Sequence, residues 1–168
     1  MTTYRDATAA DLPAIDRIFR TSFCDTFAHL YSDANLSAFL AKFTPEAWRE
    51  EFDDPRYAFR IAEVDGEAVG YVKLGPLTLP VEPHASAIEL RQLYVLKGHH
   101  GTGIAAELMD WALAQAVQRG ARELFLTVYT DNHRAKRFYE RYEFEAVGPY
   151  AFMVGDQADE DIIMKKLL

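Results

Sequence analysis

The sequence predicts one α/β domain, residues 1–168, in which helices cover both faces of a single mixed sheet. The chain has 168 residues, of which 49% are hydrophobic, and that is enough to bury one core. Strand-like segments in the first half meet at a two-residue turn, whereas those in the second half alternate with helical segments. Hairpins give antiparallel pairs and helical crossovers give parallel pairs, so this order predicts a mixed sheet.

The N-terminal segment predicts one strand followed by three helices. Residues 2–7 have strand character, and residues 10–23 and 33–43 place apolar side chains at helical spacing. Pro45 opens a short third helix, because proline is tolerated in the first helical turn.

A hairpin and a long loop follow these helices. Residues 57–64 and 67–74 are strand-like and flank Asp65-Gly66, which suits a type I′ turn because that turn needs positive φ at both positions. Residues 75–83 contain three prolines, which exclude a regular helix and a central strand. This segment is predicted to be a loop, and loops of such length are often functional.

The second half of the chain alternates strands with helices. Its four predicted strands lie at residues 87–95, 123–128, 145–154 and 162–168. A helix over residues 102–119 ends at Gly120, a residue that commonly follows a helix. A second helix is capped by Asp131 or Asn132 and runs to about Tyr142.

The glycine-rich turn GHHGTG, residues 98–103, is the most informative segment of the sequence. It follows a predicted strand and opens a predicted helix, whose first N–H groups have no intrahelical partner. Because glycine lets an anion approach the backbone and the helix dipole favours negative charge, the turn predicts a diphosphate site. Two other interpretations stay open. One is a turn that only starts a helix, and the other is a dinucleotide site, G-x-G-x-x-G/A, which the position in mid-chain disfavours.

Residues 100–105 resemble the coenzyme A signature Q/R-x-x-G-x-G/A of the GNAT N-acetyltransferase family. His100 stands where that family usually has glutamine or arginine, and Glu143 stands where a second motif, N-x-x-A-x-x-F-Y-x-x-x-G-F, has glycine. The residues that match this second motif are Asn132, Ala135, Phe138, Tyr139 and Phe144. The resemblance covers almost the whole chain.

This resemblance implies a mostly antiparallel sheet of about seven strands, with helices on both faces and a splay between the fourth and fifth strands. It implies acetyl-CoA as the co-substrate, and transfer of the acetyl group to a primary amine by direct attack in a ternary complex. The coenzyme contacts that it implies are Leu93, Tyr94, Val95, His100, Gly101, Thr102, Gly103, Ile104, Ala105, Asn132, Ala135 and Arg137.

Two groups are implied for proton transfer. Tyr139 matches the family's general acid, and a phenol with a pKa near 10 can protonate a departing thiolate. Glu89, on the strand before the glycine turn, is the candidate general base. Structural roles stay open for both: Tyr139 as a core residue, and Glu89 as an ion-pair partner of Arg91. Strand alternation predicts that Glu89 shares one face with Leu93, opposite Leu90.

Two parts of the chain resemble the bacterial polyamine acetyltransferases of this family more closely: residues 21–27 in the first helix, and residues 153–156 followed by 161–164 in the last hairpin. That likeness implies acceptor contacts from the first helix and the last hairpin, at Asp25, Phe27, Tyr150 and Phe152. By residue type alone, further acidic groups for a cationic amine are Asp53, Asp54 and Asp161. Two alternatives stay open: an acetyltransferase for a protein N-terminus or lysine, and a coenzyme A-binding regulatory domain without turnover.

Charge and cysteine content exclude several other classes. A net charge of −8 argues against a nucleic-acid binder, and no apolar run of membrane-spanning length is present. The N-terminus lacks the apolar segment of a signal peptide, and the single cysteine, Cys24, cannot form an intrachain disulfide, so we expect a cytoplasmic protein. His99 and His100 are adjacent and make a poor metal pair, so no metal site is predicted. The sequence leaves open whether the chain forms a homodimer.

Overall fold

Seven strands and five helices make up the computed structural model, which describes residues 1–168. In chain order they are β1 (Thr2–Asp6), α1 (Leu12–Phe27), α2 (Asp33–Leu40), α3 (Pro45–Asp53), β2 (Ala58–Val64), β3 (Glu67–Pro76), β4 (Ala87–Val95), α4 (Ile104–Gln118), β5 (Glu123–Tyr129), α5 (His133–Arg141), β6 (Glu145–Val154) and β7 (Gln157–Leu167). The strands form one sheet in the order β1-β2-β3-β4-β5-β7-β6, in which only the β4–β5 pair is parallel. The predicted mixed, mostly antiparallel fold is confirmed.

Local sequence signals set several element ends where they were predicted. The Thr44 hydroxyl accepts a hydrogen bond of 3.1 Å from the Ala47 amide and so caps α3. Asp65 and Gly66 adopt φ values of 52° and 85°, as the predicted hairpin turn between β2 and β3 requires. Gly120 has a φ of 84° and follows the end of α4.

Two hydrophobic cores lie on opposite faces of the sheet. The core under α4 and α5 includes Leu74, Leu108 and Leu124, all almost fully buried. The core under α1, α2 and α3 is rich in aromatic rings and includes Phe19 and Tyr71. Because both faces are covered, apolar residues on either side of a strand are buried, which agrees with the prediction of helices on both faces.

The sheet opens between β4 and β5. These strands pair only where residues 87–89 lie beside residues 123–125. Beyond that point, Leu90 and residues 92–95 of β4 remain paired with β3, and residues 126–129 of β5 remain paired with β7. The predicted splay between the fourth and fifth strands is therefore present, and it leaves one edge of each strand facing a gap.

A β-bulge at Arg91 changes the predicted alternation of β4. Lys73 of β3 lies opposite Gln92, and the next β3 residue lies opposite Leu90, so Arg91 has no partner. Leu90 and Leu93 therefore both pack on the core under α4. The prediction that Glu89 and Leu93 share a face opposite Leu90 is wrong, because the bulge adds one residue between them.

The last strand begins five residues earlier than predicted, at Gln157 instead of Ile162. The added residues include Asp159 and Asp161, which lie opposite Phe152 and Tyr150 of β6. Acidic residues disfavour strands in isolation, but here β6 pairs with both aspartates and β5 also pairs with Asp161. This extension places two carboxylates on one face of β7.

The tip of the β6–β7 hairpin contacts the start of α2. The Asn35 side chain accepts a hydrogen bond of 3.1 Å from the Asp156 amide. A Cβ added to Gly155 would lie 2.7 Å from the Cα atom of Asn35, so only glycine fits this contact. The contact fixes the hairpin that carries the two aspartates against α2.

Gly155→Ala is expected to destabilise the fold more than Gly66→Ala does. Both residues have positive φ, 58° and 85°, so alanine is strained at both by about 1–2 kcal/mol. Gly66 has no atom within 4 Å of an added Cβ, whereas Gly155 meets the backbone of Asn35, which we expect to add about 1–3 kcal/mol. Urea unfolding measures both losses, and equal losses would contradict the packing role of Gly155.

Candidate active site

The gap between β4 and β5 opens into a cleft of about 950 Å³. On one side its lining includes the glycine turn and residues of α5, and on the other it includes residues of α1, β6 and β7. The exposed edges of β4 and β5 lie between these two groups. The cleft therefore passes through the sheet and is large enough for an extended ligand.

The glycine turn offers backbone N–H groups to the cleft. Gly101 and Gly103 have φ values of 76° and 88°, and nothing lies within 4 Å of a Cβ added to either. The first intrahelical bond of α4 runs from the Glu107 amide to the Gly103 carbonyl, at 3.1 Å. The amides that precede Glu107 in the helix have no such partner, and no side chain caps them. This arrangement fits a diphosphate group.

His100 orients an arginine beside this turn. Its Nδ1 lies 2.8 Å from an Arg134 Nη, and its Nε2 lies 2.7 Å from the Val95 carbonyl. Since a guanidinium only donates, Nδ1 accepts, and Nε2 carries the proton that it donates to Val95. Burial lowers the pKa of His100, and the charge of Arg134 lowers it further, while the bond to Val95 acts against them. Neutral His100 thus holds Arg134 at the cleft, where Lys97 and Arg137 add positive charge.

Helix α5 presents Tyr139 to the cleft. The Asn132 side chain accepts a hydrogen bond of 3.3 Å from the Ala135 amide and caps the helix, as predicted. Tyr139 lies along the lining and makes no side-chain hydrogen bond to the protein. Burial raises the pKa of Tyr139 to about 12, so the hydroxyl stays protonated at neutral pH. It is available as a proton or hydrogen-bond donor.

Most of the residues implied by the family resemblance line this cleft. Among the predicted coenzyme contacts only Thr102 does not, and its hydroxyl instead donates to the His99 carbonyl at 2.6 Å. The predicted contacts that line the cleft are Leu93, Tyr94, Val95, His100, Gly101, Gly103, Ile104, Ala105, Asn132, Ala135 and Arg137. Their roles in binding stay predictions.

The predicted acceptor residues divide into two sets. Asp25, Phe27 and Phe152 line the cleft. Tyr150 is absent from its lining and packs instead against the small apolar cluster of Leu79, Phe125 and Ile163. Asp53 and Asp54 also lie away from the cleft and form ion pairs with Arg49 and Arg56, at 2.9 and 2.7 Å.

Glu89 does not line the cleft, which corrects the expected position of the general base. Its carboxylate accepts hydrogen bonds from the Thr78 amide and hydroxyl, at 3.0 and 3.2 Å, and lies 3.6 Å from Arg91. Glu123 similarly accepts a 3.1 Å bond from the His84 amide. Both buried carboxylates tie the proline-rich loop to the sheet, so the position of Glu89 supports a structural role.

Two aspartates of β7 line the cleft on the side of α1 and β6. Asp159 and Asp161 are each only 7% exposed, and both belong to the lining. Asp159 accepts hydrogen bonds from the Tyr31 hydroxyl and, at 3.1 Å, from Gln157. Asp161 receives no side-chain hydrogen bond, and neither aspartate has an ion-pair partner. Burial, and then the charge of Asp159, raises the pKa of Asp161 to about 7.

Aromatic rings surround the two aspartates, and the sequence analysis missed part of this group. Tyr31 and Tyr129 line the cleft beside Phe27, whose ring meets that of Tyr129 edge to face at 5.9 Å. Asp159 was also missed, because the predicted last strand began after it. The sequence did hold one signal: Asp159 and Asp161 are two residues apart, so in a strand they share a face.

Two further features of the chain bear on its class. No cluster of three or more His, Cys, Asp or Glu side chains has the arrangement of a metal site. None of the helices combines the length and apolar character that a bilayer crossing needs.

Comparison with known proteins is consistent with this geometry. Residues 20–144 match the acetyltransferase (GNAT) family. An uncharacterized N-acetyltransferase of Mycobacterium bovis is 38% identical over 138 residues, which cover 82% of this chain and 80% of the relative. One from Lactobacillus delbrueckii is 29% identical over 94% of this chain and 92% of its own length.

Solved structures share the fold over almost their whole length. The PaiA N-acetyltransferase from Thermoplasma acidophilum, in complex with coenzyme A, has a TM-score of 0.79 at 21% identity and covers 100% of this chain and 99% of its own. A ribosomal-protein-alanine N-acetyltransferase from Brucella melitensis has a TM-score of 0.75 at 26% identity, with 99% of each chain covered.

Glu89→Gln is expected to lower the free energy of unfolding by about 1–2 kcal/mol while leaving the pH dependence of turnover unchanged. The side-chain amide of the new glutamine can still accept a hydrogen bond from Thr78, but it carries no charge to offset that of Arg91. Glu82→Gln, at an exposed position of the same loop, is the matched control. Urea unfolding and a pH–rate profile measure the two effects. Loss of the rising limb of the profile would return Glu89 to the mechanism.

Proposed function

Because the chain belongs to the acetyltransferase (GNAT) family and is an acetyl-CoA-dependent N-acetyltransferase, we propose that its acceptor is the primary amine of a small cation such as a polyamine. The observation that carries this proposal is the pair of buried carboxylates, Asp159 and Asp161, in the cleft. Burying a carboxylate without a cation beside it costs free energy. A bound ammonium group supplies the missing charge.

The rest of the acceptor region suits the same ligand. The rings of Phe27, Tyr31 and Tyr129 lie around the carboxylates, and aromatic faces attract ammonium groups. A protein N-terminus or lysine also presents an amine, and the Brucella neighbour is named for such an acceptor. The small cation is favoured because both carboxylates are almost fully buried, where a short diamine reaches more easily than a folded partner.

Acetyl-CoA supplies the thioester that is the acyl donor. Residues of the glycine turn and the first turn of α4 would hold its diphosphate through backbone N–H groups. Arg134, kept in position by His100, would offset phosphate charge together with Lys97 and Arg137. The free edge of residues 93–95 would supply backbone donors and acceptors to the extended arm of the coenzyme.

Tyr139 acts on the leaving sulfur. Its raised pKa keeps the phenol neutral, so it can donate a hydrogen bond as negative charge develops on the thiolate. The same low-dielectric cleft disfavours a bare thiolate, which strengthens that hydrogen bond. Proton donation by Tyr139 completes the release of the thiol.

We also propose that the reaction takes place in the cytoplasm. The chain has a single cysteine, Cys24, and so needs no oxidising compartment for folding. Coenzyme A itself carries a free thiol, which suits a reducing environment.

An acceptor panel tests the proposed substrate class. With acetyl-CoA fixed, we expect kcat/KM for spermidine or putrescine to exceed that for a monoamine of similar length by at least about tenfold, because two carboxylates are available to ammonium groups. Thiol release measures the rate. Preference for peptides with a free N-terminus or lysine would contradict the small-cation proposal and favour a protein acceptor.

Tyr139→Phe is expected to lower kcat by about 10²–10⁴-fold, the usual contribution of a general acid. The dissociation constant of coenzyme A should change little, because the phenol acts on the leaving sulfur. The control is Tyr142→Phe, at the residue that follows the same helix; its hydroxyl donates to Asp110 at 3.0 Å, and the residue lies outside the cleft lining. Steady-state kinetics and calorimetry separate the two effects. An unchanged kcat would remove Tyr139 from the acid role.

A further inference from the structure

An amine acceptor must lose a proton before it can attack a thioester. A primary amine has a pKa near 10.4, so almost all of it is an ammonium ion at neutral pH. Glu89, the base expected from the sequence, lies outside the cleft. Its carboxylate already accepts a hydrogen bond from Thr78 and forms an ion pair with Arg91. The group that removes this proton must therefore be sought among the side chains that face the cleft.

We propose that Asp161 accepts the proton of the attacking amine and that Asp159, whose carboxylate is held by Tyr31 and Gln157, binds the same amine in place. The proposal rests on the proposed function, because it takes an amine as the acceptor. It identifies the residue that acts as the base and gives the two carboxylates different roles.

Asp161 is the unpartnered member of the pair. It is 7% exposed, lines the cleft, and receives no side-chain hydrogen bond or ion pair from the protein. Buried carboxylates normally have such partners, so this one is left free for something that enters the cleft. Its pKa, raised to about 7 by burial and then by Asp159, suits a base that works near neutral pH.

Asp159 has the opposite environment. The Tyr31 hydroxyl and the Gln157 amide both donate to its carboxylate and fix its position. Two carboxylates in one site with different hydrogen-bond partners can take different roles, one binding the substrate and the other exchanging a proton. Asp159 is therefore the anion that attracts the ammonium group, and Asp161 is the group that deprotonates it.

Tyr94, Tyr139 and Asp161 all line the same cleft. Tyr94 lies on the part of β4 that has separated from β5; burial raises its pKa, and the charges of Tyr139 and Asp161 raise it further. The other titratable groups around Asp161 are Tyr31 of the α1–α2 connection, Tyr129 of β5, Asp159 of β7, Asp25 of α1 and, opposite it in β6, Tyr150.

The protons balance in this scheme. Ionised Asp161 takes one proton from the ammonium group, and the neutral nitrogen forms a bond to the carbonyl carbon. The carbon–sulfur bond breaks and its electron pair leaves on sulfur. The nitrogen then loses a second proton to solvent, the sulfur gains one from Tyr139, and Tyr139 recovers a proton from solvent. The proton on Asp161 passes to solvent, so the products are the amide, the thiol and one released proton.

The first test compares wild type, Asp161→Asn and Glu160→Gln, an exposed neighbour on the other face of β7. With spermidine as the probe, kcat/KM of the wild type should rise with a midpoint near pH 7. Asp161→Asn should lose at least about 10²-fold at pH 7, recover partly as the amine deprotonates itself near pH 10, and keep its affinity for coenzyme A. Glu160→Gln should match the wild type.

The outcomes separate this inference from the proposed function. If the wild type acetylates no amine in the panel, the proposed function fails. If it acetylates spermidine but Asp161→Asn keeps the same rate and the same rising limb, only the role of Asp161 is overturned. If the rising limb of the wild-type pH–rate profile has its midpoint near pH 4, the usual pKa range of an aspartate, that result alone would overturn the role of Asp161 as the base.

A second readout does not depend on activity. The pKa of folded Asp161 lies above the unfolded value of 3.8, so the folded state loses stability as the pH rises from about 4 through about 7. Asp161→Asn removes this loss. Its melting temperature should exceed that of the wild type at pH 8, and this excess should shrink as the pH falls toward 4, whereas Glu160→Gln should show no such change. A difference that does not depend on pH would contradict the raised pKa.

Discussion

The short pairing between β4 and β5 is the constraint on which the rest of the structure depends. These parallel strands meet over only three residue pairs and then separate, while each keeps its other neighbour in the sheet. The cleft therefore runs through the sheet, and groups from both faces reach one space. The glycine turn and Tyr139 reach it from the side of α4 and α5, and the aspartates of β7 reach it from the side of α1. Because β7 lies directly beside β5, its side chains stand next to the gap.

Buried carboxylates serve two different purposes in this protein, and residue type alone does not distinguish them. Glu89 and Glu123 are satisfied by amide donors of the proline-rich loop and by nearby cations, so they fasten that loop to the sheet. Asp159 is satisfied by Tyr31 and Gln157, whereas Asp161 has no donor. The cost of burying an unpaired charge is tolerated where a ligand can offset it. Hydrogen-bond partners, and not burial, separate the structural carboxylates from the one available for chemistry.

The features that the sequence predicted well depend on residues that are adjacent in the chain. The turn at Asp65-Gly66, the cap at Asn132 and the glycine turn each depend on a few adjacent residues, and the structure has them where they were expected. The bulge at Arg91 and the early start of β7 depend on pairing with other strands, which no local pattern encodes. Those two features decide which face carries Glu89 and whether Asp159 belongs to a strand. The candidate acid, Tyr139, was therefore named from the sequence, whereas Asp161 was named only by residue type and the expected base, Glu89, lies outside the cleft.

The β6–β7 hairpin is one continuous segment with its own turn, fixed at its tip by the contact between Gly155 and Asn35. Residues 20–144, which match the family, include the glycine turn and Tyr139 but end before this hairpin. Asp159 and Asp161 therefore lie after the matched segment, whereas the aromatic residues Phe27, Tyr31 and Tyr129 of the same cleft lie within it. An exchange of this one hairpin would replace both carboxylates together while leaving the glycine turn and Tyr139 as they are.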